Sequence, residues 1–62
     1  MDDPDELRNR MQARVLRTTG IRGSEKNAML RQIYAAHSQG YFRLKELALN
    51  WGMRDLVYPR AF

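Results

Sequence analysis

Gly40-Tyr-Phe-Arg-Leu-Lys-Glu-Leu-Ala-Leu-Asn-Trp-Gly-Met-Arg-Asp-Leu-Val-Tyr58 is the stretch on which the fold of this chain turns. It reads as a helix, a sharp turn and the start of another helix. Leu44, Leu47 and Ala48 fall on the inner side of a helix over residues 43–50, and Trp51 follows one turn after Leu47 as a core plug. Gly52 comes four residues after the small Ala48. A glycine there takes a positive φ angle that other residues resist, and Met53 then turns its side chain back into the core. Arg54 or Asp55 opens the last segment, a short helix or an extended tail over residues 54–62. Two helices crossing closely at such a corner make the skeleton of a helix-turn-helix unit.

Upstream of this stretch the chain reads as a helical hairpin. Asp3 is placed to cap a first helix over residues 3–19, Pro4 suits its first position, and Glu6 completes a capping-box spacing. Asp5 and Glu6 also lie against the positive end of the helix dipole. Leu7, Met11, Val15 and Thr18 form one stripe; Arg10, Arg14 and Arg17 form the next. The helix is expected to fray at Thr18-Thr19 and to stop at Gly20. Ser24 then serves as N-cap of a second helix over residues 24–38, with Glu25 in its first turn. Met29, Ile33 and Ala36 line its apolar side, and Leu30 and Tyr34 widen it. Gly40 ends this helix. Tyr41-Phe42 is expected to be an extended link whose rings close the core.

The fold class is therefore all-α: one small domain of three to four helices over residues 1–62, an N-terminal hairpin followed by a helix-turn-helix-like unit. A chain of 62 residues buries only about 60% of its unfolded surface. It has no cysteine, so no disulfide can staple it. A homodimer or a larger protein partner is the expected support. No apolar run approaches the roughly 20 residues that span a membrane. The first residues, Met-Asp-Asp-Pro-Asp-Glu, are acidic where a signal peptide is basic and then apolar, and a cytoplasmic location is expected.

The net charge of +4 conceals an asymmetry. Four of the seven acids lie within the first six residues; from Leu7 onward eleven basic residues face three acids. Such a body favours a polyanion, either nucleic acid or an acidic protein surface. Catalysis needs convergent titrating groups, and a single histidine, His37, with no cysteine supplies no such set. No enzymatic activity, metal, cofactor or small-molecule substrate is expected.

The segment Gly40–Phe62 resembles the helix-turn-helix of site-specific recombinases and transposase-associated DNA-binding domains. The positions that match are Leu47, Ala48, Gly52, Met53 and Val57, about a third of the chain being covered. The resemblance implies a regulatory protein that contacts duplex DNA as a dimer. Arg43, Lys45 and Arg60 would then contact phosphates, and Arg54 would read a base edge. The chain departs from the pattern at the apolar run Leu56-Val57-Tyr58 and at Pro59, which shortens the second helix. A protein-interaction module is the alternative. In that reading Leu56, Val57, Tyr58 and Phe62 form a docking tail, and removing residues 56–62 would cost partner binding rather than DNA binding alone.

Overall fold

A computed structural model describes residues 3–58 of the chain. Four helices and no strand form this part: α1 (Pro4–Arg17), α2 (Gly23–Ser38), α3 (Tyr41–Asn50) and α4 (Arg54–Val57). The domain is all-α, as its sequence periodicity requires.

Each boundary has a local cause. Asp3 caps α1: its Oδ1 accepts the N–H groups of Asp5 at 3.0 Å and Glu6 at 3.4 Å. The Glu6 carboxylate is used along the helix instead, on Arg10 at 3.0 Å. The helix ends at Arg17, two residues short of the predicted bound, because the Thr18 hydroxyl donates back to the Arg14 carbonyl and its backbone turns extended. Thr18 is thus an exposed cap and not the last member of the apolar stripe. The start of α2 also differs from expectation. Arg22, not Ser24, is the cap residue, and its N–H donates to the Glu25 carboxylate at 3.3 Å.

Two contacts make α1 and α2 an antiparallel hairpin. At one end the Lys26 ammonium donates to the Leu16 carbonyl at 3.1 Å, covering the exposed C-terminal end of α1. At the other end His37 meets Asp5, with Nε2 2.6 Å from Oδ1.

Gly40 takes φ 109° and ψ 175°, a region open essentially to glycine alone. Its N–H closes the end of α2 on the His37 carbonyl, and its carbonyl accepts the N–H of Leu44 to open α3. The chain therefore turns the corner in two residues. Tyr41 and Phe42, expected in an extended link, form the first turn of α3.

The second corner is the predicted one. Gly52 has φ 76°; its N–H reaches the Leu49 carbonyl at 3.1 Å, and the Met53 N–H reaches the Ala48 carbonyl at 2.8 Å. These are the two bonds of a Schellman motif, and they explain the four-residue spacing from Ala48 to Gly52. Met53 is carried into the core by the same geometry.

The core is Leu7, Met11, Val15, Ile33, Ala36, Leu44, Ala48, Met53 and Val57, all apolar. Met29, Leu30, Tyr41, Leu47, Trp51 and Leu56 pack against it half-buried. Tyr34, read as widening the apolar side of α2, stands 72% exposed. α4 is fastened to α1 by Arg14, whose two terminal nitrogens grip the two oxygens of Asp55. No helix among the described residues is long and apolar enough to cross a membrane.

Candidate nucleic-acid interface

One side of α3 carries Phe42, Lys45 and Leu49 at spacings of three and four, so they line up in a stripe beside the buried Leu44 and Ala48. Tyr58, at the end of the described chain, swings alongside because the Gly52 corner folds α4 back. The Lys45 ammonium lies 5.7 Å from the centre of the Phe42 ring and 5.6 Å from that of Tyr58. The Arg54 guanidinium lies 5.7 Å from the same Tyr58 ring. These are cation–π distances. Two rings and two cations thus belong to one surface. An open depression of about 460 Å³ adjoins it, lined by Gln39, Phe42, Arg43, Lys45, Glu46 and Leu49.

The charge on this surface is set by where the acids go. Asp3 caps α1, Asp5 holds His37, Glu6 pairs with Arg10, and Glu25 accepts from the Arg22 backbone. Glu46 pairs with Arg43 at 2.9 Å, and Asp55 pairs with Arg14. The hydrogen bond from Arg14 holds the Asp55 carboxyl below its ordinary range and raises the guanidinium in turn. Among the described residues Lys45 and Arg54 have no carboxylate partner. Arg17, Arg22, Lys26 and Arg31 also lack one, but they are spread along the α1–α2 hairpin.

The sequence-derived site residues therefore separate. Lys45 and Arg54 come together around Tyr58. Arg43 is neutralised by Glu46 and also donates to Gln39 at 3.4 Å. Of the docking-tail residues, Val57 is buried in the chain's own core and Leu56 packs half-buried against it. Among the described members of that group, Tyr58 is the one 52% exposed. Arg60 and Phe62 lie outside the described residues. Phe42 is the residue that sequence reasoning missed. Once α3 is begun at Tyr41, its spacing to Lys45 and Leu49 puts it on the outer face, where it stands 79% exposed.

The arrangement defines a small all-α domain with an aromatic and cationic face on its C-terminal half. Comparison with protein-family models, with curated proteins and with solved structures finds no match to this chain.

Proposed function

We propose that this protein binds DNA, resting the α3–turn–α4 corner on the phosphate backbone of a duplex. The observation that carries the reading is the pair Lys45 and Arg54. They share one surface, and every described acid is occupied elsewhere, so their charge is available to a polyanion. Both stand on short helices joined by the Gly52 corner rather than on a loose tail.

α4 is a single turn among the described residues, and one turn does not reach into a major groove as a full recognition helix does. This assigns Arg54 to phosphate rather than to a guanine edge, and binding is expected to tolerate sequence.

Fluorescence anisotropy with a labelled duplex, titrated at several salt concentrations, tests the reading. Each phosphate contact adds about 0.9 to the slope of log affinity against log salt. The Lys45→Ala, Arg54→Ala double variant is expected to lower the slope by about 1.8 on that basis. Binding that ignores salt, or no binding at micromolar protein in low salt, overturns it.

A second reading rests on a different observation. Phe42 and Leu49 leave exposed apolar surface on the same helix face, which suits a protein-interaction module. Light scattering of the isolated chain and of Phe42→Ala tests that. A dimer that dissociates in the variant supports it, and a monomer in both removes self-association.

A further inference from the structure

Two features of the α3 face have no role in a contact with duplex phosphate: the Phe42 and Tyr58 rings. They are 79% and 52% exposed, and both converge on the ammonium of Lys45. In a duplex the base faces are covered by their neighbours, so rings on a protein surface find nothing to stack on. An unpaired strand is different. Its bases present open π-faces, and every base has one. Aromatic side chains interleaved with cations that track the backbone are what such a strand requires.

We infer that the Phe42–Lys45–Tyr58–Arg54 face binds single-stranded nucleic acid in preference to duplex. The inference rests on the nucleic-acid reading above and puts an unpaired strand in place of the duplex as the preferred form. A base stacks on Phe42, and a neighbouring base stacks on Tyr58. Lys45 leaves the rings for the phosphate between them, and Arg54 takes the next phosphate. The exchange is nearly even for Lys45, because it gives up an exposed cation–π contact for an ion pair of similar exposure. The adjoining depression over Gln39, Glu46 and Leu49 gives a displaced base room beside the helix. The acidic edge there, Glu46, is already neutralised by Arg43 and does not repel the strand.

Phosphate contact alone binds both forms of the polymer. Stacking binds one. The two are separated by measuring the full chain with a labelled 15-nucleotide oligothymidine and with a 15-base-pair duplex in the same buffer. Loss of one stacked base costs roughly 5- to 150-fold in affinity. Phe42→Ala is expected to weaken the single strand by at least the lower figure and to leave the duplex within twofold. Phe42→Tyr, which keeps a ring, is expected to restore it. Circular dichroism reports whether each variant keeps its helices, and an exposed position makes that the expected result.

Equal affinity for both forms with no effect of Phe42→Ala overturns the inference and leaves duplex binding standing. Single-strand binding abolished by Lys45→Ala but untouched by Phe42→Ala also overturns it, since charge alone would account for it. No binding to either form overturns the nucleic-acid reading as a whole. A Phe42-dependent dimer that fails to bind either oligonucleotide gives the face to a second copy of the chain.

Discussion

Two glycines that look alike in sequence are expected to respond to alanine with opposite signs. Gly52 has φ 76° and holds the corner between α3 and α4. Gly23 opens α2 with ordinary helical backbone. A Cβ added at either meets no atom within 4 Å, so no steric clash enters either result. What remains is backbone energy. Forcing an L-residue into left-handed backbone costs about 1–2 kcal/mol. Alanine offsets roughly 0.4–1 kcal/mol of this by restricting the unfolded chain. Gly52→Ala is therefore expected to destabilise by about 1 kcal/mol net. In a domain of this size that lowers Tm by roughly 4–8 °C. Gly23→Ala keeps only the favourable part, about 0.4–1 kcal/mol, and raises Tm by a few degrees. Gly52→Asn should fall between Gly52→Ala and the native chain, because asparagine tolerates left-handed backbone. Thermal unfolding followed by circular dichroism at 222 nm measures all three. If Gly52→Ala raises Tm as Gly23→Ala is expected to, the corner does not depend on positive φ, and the placement of Tyr58 beside Lys45 loses its cause.

Ile33, wholly buried between the helices, is a core position where truncation should be costly. Ile33→Ala removes about 2–5 kcal/mol from a domain whose total is roughly 3–9 kcal/mol, so its urea midpoint at 25 °C should fall by about half. Ile33→Val, at about 0.5–1.5 kcal/mol, should keep a cooperative transition. Asp3→Ala removes the acceptor for two α1 N–H groups and should cost about 1 kcal/mol in the same assay. The tie of Asp55 to Arg14 should depend on pH. The folded carboxyl is held below its ordinary range, so the tie stabilises above the unfolded value near pH 4 and is lost as pH falls through the lower folded one. Tm of the native chain and of Asp55→Asn should begin to converge as pH falls below about 4 and meet once it passes the lower folded value, and amide exchange in α4 should be faster in the variant at neutral pH.

The helices and their corners were legible because their causes are local. Asp3 with Pro4, the spacing of Leu7, Met11 and Val15, and the Ala48–Gly52 interval each act within a turn or two of chain. Boundaries slipped where two local devices competed. Thr18 bonded back to Arg14 and ended α1 early. The backbone of Gly40 let α3 begin at Tyr41 and so turned Phe42 outward.

Which charges remain available was not legible in that way. Arg14 finds Asp55 across 41 positions of sequence, and His37 finds Asp5 across 32. Periodicity carries no information over such separations. A stripe of arginines looks the same whether a distant carboxylate neutralises it or not. The same holds for the tail. Val57 and Tyr58 are neighbours of similar apolar character, and only the fold of the corner sends one into the core and leaves the other beside Lys45. Helix formation is settled by contacts near in sequence; the composition of a surface is settled by which distant groups the packing brings within a hydrogen bond of each other.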